Sequence, residues 1–241
     1  DEAFWRDDLK PLHAKLHQWF RNYVPEATVV VPWPIQRELK EGLAGVAAVT
    51  IRLPTSIQPT QVYDYITTLG KTRHRAAVVI DALPPRQYDH HDRLEDLIIR
   101  TVEAWRAEPN AIYIDYPFNT GEHDEGIATP DPLLIVWAEA IERLGERRIV
   151  DRLRVAPGVV CYILNGPGGG ALVAWNESAD PDEAVIDMYL GDAPRVVDVW
   201  GNVTPIPQRD GTHRVEIGRM PTFIEGINGP LAMLRARLQL D

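Results

Sequence analysis

The chain has 241 residues, 45% of them hydrophobic, so a core can form and wholesale disorder is excluded. Its 25 Lys and Arg face 35 Asp and Glu, a formal charge of −10, which leaves no basic stripe for a nucleic-acid backbone and repels anionic membrane surfaces. A single cysteine, Cys161, excludes an internal disulfide framework and a multi-cysteine zinc site, and no apolar run is long enough to span a bilayer.

The first segment carries Leu9, Leu12, Leu16, Phe20 and Tyr23 at helical spacing and stops at Pro25. Thr28 to Val31 reads as a buried strand, ended by Pro32, Trp33 and Pro34, and a short helix from Ile35 to Glu41 leads to a second strand, Ala47 to Leu53. A helix over Thr60 to Leu69 turns Val62, Ile66 and Leu69 inward, with Gly70 as its C-cap. The third strand, Ala76 to Ile80, ends at Asp81. A helix over Arg93 to Ala107 follows, with Asp92 expected as its N-cap and Glu95 completing a capping box. The fourth strand, Ala111 to Asp115, is followed by a polar loop through Glu122, His123, Asp124 and Glu125, then by a helix from Pro132 to Leu144. Four apolar strands alternating with helices predict a parallel sheet, with ligands at the carboxyl ends of its strands.

From Gly158 the grammar changes. Val159 to Leu164 and Ala171 to Trp175 pair as a hairpin across Gly166–Gly170. Strands over 184–190, 195–200, 204–207, 213–217 and 222–225 follow, separated by turns at Gly191-Asp192, Gly201-Asn202 and Asp210-Gly211. This spacing predicts a small antiparallel sandwich, closed by a helix from Leu231 to Leu240. The expected division is therefore residues 1–157 as four βα units and 158–241 as the sandwich.

Three stretches of the second half carry a family resemblance. Gly169 to Asn176 ends in Trp175-Asn176, Asp198-Val199-Trp200-Gly201-Asn202 forms a D-x-x-G-N turn, and Pro221-Thr222-Phe223-Ile224-Glu225-Gly226 matches P-x-Y-I-x-G with Phe for Tyr. In this the chain resembles the C-terminal part of the clan A glycoside hydrolases, (β/α)8 barrels with an appended sandwich. The resemblance implies an α/β half followed by an all-β one, the four strands being strands five to eight of the barrel. A closed barrel has eight strands and about 250 residues. The expectation is that N-terminal sequence completes it or, less favoured, that a second copy does.

The resemblance also implies a carbohydrate ligand, an O-glycosyl hydrolase activity or a non-catalytic relative of that fold, and a secreted or envelope location. Retaining members use two carboxylates about 5–5.5 Å apart. Asp81 stands at the end of the strand that would carry the nucleophile, as Asp where the family has Glu; it can equally cap a loop or bind an arginine. Asp1-Glu2 is faintly similar to the family's Asn-Glu acid/base pair, and also suits the first turn of a helix. Trp33 can stack on a sugar ring or pack under a loop. Arg52, near the end of the second strand, can donate to hydroxyls or pair with Asp81. Asp115 and Tyr116 end the fourth strand and complete the expected cleft.

Other chemistries find no support. No glycine-rich loop opens a helix after a strand, no Walker lysine is present, and the two serines, Ser56 and Ser178, lie outside any nucleophile elbow. His13 and His17 share helical spacing without the glutamate of a zinc protease, and His90-His91 are adjacent and point apart. The Glu122–Glu125 loop lacks the acidic spacing of a calcium loop. No cofactor and no metal are expected.

Overall fold

The structure is a computed structural model that describes residues 15, 18, 30–32, 48–70, 75–115, 117–120, 128–178 and 184–230. Trp33, Tyr116, Asp1-Glu2, the 122–125 loop and the helices expected over 9–23, 35–41 and 231–240 lie outside the described residues. The chain divides into two compact units, Asp1–Ala82 with Glu103–Tyr116, and Leu83–Val102 with Pro117–Asp241.

The first unit holds a four-stranded sheet, β1 (Val30–Pro32), β2 (Ala48–Leu53), β3 (Arg75–Ile80) and β4 (Ala111–Ile114), in that spatial order and parallel throughout. Helix α1 (Val62–Gly70) follows β2, after a short 3-10 turn at Pro59–Gln61. The two faces of the sheet differ. Ile51, Val78 and Ile112 are in register, as are Leu53 and Ile80, and all five are buried. The alternate row, Arg52, Val79 and Tyr113, is far more open, with Tyr113 54% exposed. Side chains alternate across a strand, so one face is a packed core and the other is not.

Helix α2 (His90–Arg106) starts three residues earlier than its apolar stripe suggests. The cap is Asp89, not Asp92: the Asp92 N–H donates to Asp89 Oδ1 at 2.8 Å, which places Asp92 inside the first turn. Two acids three residues apart compete for this role, and the upstream one takes it because its oxygen reaches an orphan N–H.

In the second unit, β5 (Phe118–Thr120) and β6 (Ala128–Pro130) form a two-stranded antiparallel ladder where a loop was expected. Helix α3 (Pro132–Leu144) follows with the predicted bounds; Asp131 caps it through the Leu133 N–H, and Pro132 stands at its first position. A six-stranded antiparallel sheet contains β7 (Arg148–Leu153), β8 (Val159–Asn165), β9 (Gly170–Asn176), β11 (Arg195–Val197), β12 (Val203–Pro205) and β15 (Thr222–Ile227), in the order β12-β11-β15-β9-β8-β7. A second sheet holds β10 (Val185–Met188), β14 (Thr212–Glu216) and β13 (Gln208–Arg209). Cys161, Ile163, Leu172 and Ile224 from the larger sheet meet Ile186, Met188 and Val215 from the smaller one in a single apolar core. An α/β sheet and an all-β sandwich thus coexist in the chain.

The three family-like stretches lie side by side, since β15 pairs with β9 on one side and β11 on the other. Their glycines have local reasons. Gly226 sits at a register shift with φ +71°, and a Cβ there would lie 2.6 Å from the Ala193 carbonyl oxygen. Asn176, in an Asn-x-Ser glycosylation pattern, is buried, and its Oδ1 accepts from both the N–H and the hydroxyl of Ser178.

Candidate functional site

Three strand ends converge. Arg52 lies in β2 beside Val79 of β3, which lies beside Tyr113 of β4. The ladder continues one step past the strands: the Asp81 N–H donates to the Leu53 carbonyl at 3.1 Å and the Asp115 N–H to the Ile80 carbonyl at 3.0 Å. Each acid is therefore held by main chain, on the same open face as Arg52 and Tyr113.

The side chains meet. Arg52 Nε lies 2.8 Å from Asp81 Oδ1 and 3.0 Å from Oδ2, and Arg52 Nη2 donates to Asp115 Oδ2. Arg52 is 53% exposed and Asp115 46%, so solvent reaches the trio through them, while Asp81, 21% exposed, is half-buried beside Arg52. The hydrogen bond to Asp81 and its charge raise the guanidinium above its ordinary value, with Asp115 adding to the effect; Arg52 is a fixed cation. A cation between two anions offers donors and acceptors together, the mixed set that polyhydroxylated ligands require. The same contacts restrain Asp81. A carboxylate whose two oxygens face one guanidinium is a weaker nucleophile than an unpaired one.

Arg52, Asp81 and Asp115 were each legible as strand-end residues, and the structure brings the three together. Tyr113 was read only as part of an apolar run; its place two residues before Asp115 is the signal that puts it on the open face. Cys161 plays no part: burial pushes its thiol up to about 12. Among the described residues, no group of three or more His, Cys, Asp or Glu is placed to hold a metal ion, and no helix is long and apolar enough to cross a membrane.

No family model and no curated protein matches the chain. Solved structures do. A family 39 glycoside hydrolase from the gut symbiont Bacteroides cellulosilyticus WH2 is similar over 75% of this chain and 44% of its own, with a TM-score of 0.56 at 12% identity. The GH51 arabinofuranosidase from Xanthomonas axonopodis pv. citri is similar over 89% of this chain and 62% of its own, with a TM-score of 0.55 at 9% identity. A GH30 endoxylanase from Clostridium papyrosolvens C71 covers 88% and 60%, with a TM-score of 0.52 at 10% identity. The chain spans between 44% and 62% of these neighbours' lengths. The resemblance to clan A glycoside hydrolases carried by the sandwich motifs therefore holds at the level of the fold, which is glycoside-hydrolase-like.

Proposed function

We propose that the parallel strands β1–β4 supply strands five to eight of a (β/α)8 barrel, that the antiparallel sheets from β7 onward form its sandwich, and that the Arg52, Asp81 and Asp115 trio contacts carbohydrate in a glycoside-hydrolase-like, carbohydrate-active protein. The observation that carries this reading is the solvent-open trio on three consecutive parallel strand ends. Consecutive strand order supports it as well. Right-handed crossovers between sequential neighbours place all connecting helices on one face, leaving the other for a barrel interior. The open row of Arg52, Val79 and Tyr113 fits an interior face that awaits the remaining strands, from an N-terminal half or a second copy of the chain.

In the hydrolytic form of this reading, water adds across a glycosidic C–O bond. Asp81 supplies one carboxylate, and an acid from the complementary strands protonates the leaving oxygen. Trp33 and Tyr116 would flank the sugar. A secreted or envelope location follows from the same reading. The close hold of Arg52 on both Asp81 oxygens favours a second form, a non-catalytic relative that binds glycans or serves in assembly.

The test is Asp81→Ala against wild type in the full native polypeptide, on aryl glycosides that include xylosides and arabinofuranosides. Hydrolysis with Asp81 in the chemistry predicts a loss of at least about a hundredfold. Unchanged turnover removes Asp81 from catalysis. No turnover by either protein, with retained oligosaccharide binding, selects the non-catalytic form; neither turnover nor binding ends the carbohydrate reading.

A further inference from the structure

The D-x-x-G-N turn that follows β11 carries an indole outward. Trp200 is 43% exposed, although the Asp198 carboxylate clamps the turn around it. Asp198 Oδ1 accepts from the N–H groups of Trp200 at 2.8 Å and Asn202 at 2.9 Å, and Oδ2 accepts from Asn202 Nδ2 at 2.8 Å. Burial pushes the Asp198 carboxyl up, but the bonds from Asn202 and Trp200 outweigh it and hold the group below its ordinary value, so the clamp stays ionised near neutrality. Gly201, with φ +82°, closes the turn against α3, where a Cβ would lie 2.9 Å from the Glu139 carboxylate. The indole is therefore presented on rigid backbone rather than on a mobile loop.

A second ring extends it. The imidazole of His90, the first residue of α2, stacks on Trp200 with centroids 6.5 Å apart and planes at 29°. Tyr88, two residues upstream, is 42% exposed, and Val203, just beyond the turn, is 52% exposed. Asn202 and Asp89 are exposed on the same two segments. A surface that leaves a fixed indole half open, stacked on one ring and bordered by polar groups, keeps a flat apolar platform with hydrogen-bonding neighbours.

The chemistry of the platform selects its ligand. A pyranose ring offers an apolar C–H face and a rim of hydroxyls, which match an aromatic face and polar neighbours. Stable protein interfaces bury about 1,200–2,000 Å², far more than two half-open rings provide. Asp198 lies within the turn, Glu139 beside Gly201 is paired with Arg143 at 3.1 Å, and the chain carries a formal charge of −10, which disfavours anionic glycans. We propose that Trp200 and His90 form a secondary binding platform for a sugar ring of a neutral polysaccharide, additional to the strand-end trio. The inference shares with the proposed function the view that the protein meets carbohydrate, but not the assignment of Asp81.

The experiment is retention of the full chain on insoluble xylan, cellulose and starch granules, comparing wild type with Trp200→Ala, Trp200→Leu, Trp200→Phe and His90→Ala. Wild type is expected to be retained on at least one of these. Trp200→Ala and Trp200→Leu should each reduce retention at least about tenfold, His90→Ala less, and Trp200→Phe least. Trp200→Leu keeps apolar bulk without a flat face, so its loss separates stacking from packing should Trp200→Ala fold poorly. Equal retention of wild type and Trp200→Leu overturns the platform while leaving a carbohydrate-binding protein. No retention of wild type on any of the three also overturns it, and the glycoside assay on Asp81 then judges the broader reading by itself.

Discussion

Arginine–carboxylate pairs occur in both units, in opposite surroundings. In the first, Arg52, Asp81 and Asp115 stand open at the strand ends. In the second, Glu225 is only 3% exposed and receives Arg195 at 2.9 Å, Arg147 at 3.1 Å and Arg143 at 3.6 Å. Arg93 and Asp131, also buried, pair at 3.0 Å; Arg93 Nε donates to the Leu83 carbonyl, and Asp131 caps α3. The same chemistry does different work according to solvent access. A buried pair cannot be broken without leaving a desolvated charge, so it fixes helices to a sheet or to each other. An exposed pair adds little stability and can exchange its partners for ligand hydroxyls. That contrast supports the proposal that the strand-end trio meets ligand, and makes the Glu225 and Asp131 clusters fasteners.

The comparison breaks first at Glu225. Glu225→Gln should lower unfolding free energy by about 3–5 kcal/mol in urea titrations, because Arg143 and Arg147 lose their anion beside β15. A loss below about 1 kcal/mol would erase the distinction between the two regions. Asp131→Ala is expected to cost about 3 kcal/mol, and Asp131→Asn about 1 kcal/mol less than that, since Asn still caps α3.

The next effect depends on pH. Burial pushes Asp96 up to about 6; Arg100, four residues on, draws it down and Glu95 pushes it up. Its folded value exceeds its unfolded one, so the folded state binds the proton more tightly. Asp96 therefore weakens the fold as pH rises from about 4 to above 6, by roughly 2–3 kcal/mol. Asp96→Asn should remove the slope in thermal melts taken across this window, with a net gain at pH 8 smaller than that amount because buried Arg100 loses its anion. Glu225 acts with the opposite sign. Burial pushes it up, but Arg195 and its neighbours outweigh that and hold it below its ordinary value of 4.5, so its contribution is present above that pH and lost as pH falls further.

The smallest stability effect belongs to the open trio. Arg52→Met should change unfolding free energy by less than about 1 kcal/mol, yet weaken oligosaccharide binding at least about tenfold. A large stability loss with unchanged binding would turn the trio into a fastener like the others.

Strand and helix order was legible because hydrophobic periodicity is local. The α3 bounds, the β8–β9 hairpin and the strand-end positions of Arg52, Asp81 and Asp115 all follow from runs of a few residues. The β7 strand was not legible: Arg-Ile-Val-Asp-Arg-Leu reads as polar, and it is a strand because β8 pairs with it along the sheet edge, where exposed charge is tolerated. Asp89 displaced Asp92 as the cap through one backbone hydrogen bond. Glu225 looked like the unspecified position of the closing strand motif, and its value as a fastener depends on arginines 30 to 82 residues away in the chain.

The sequence by itself determined the alternation of strands and helices, the hairpin and short strands that follow Gly158, and which polar residues would stand at strand ends, since each depends on neighbours within a turn or two. Only the tertiary structure decided which arginine meets which carboxylate, which face of the parallel sheet stays open, and that Trp200 rests half exposed on His90. Those outcomes depend on distances between segments remote in the chain, and desolvation, which separates a fastener from a binding group, exists only once the segments are packed.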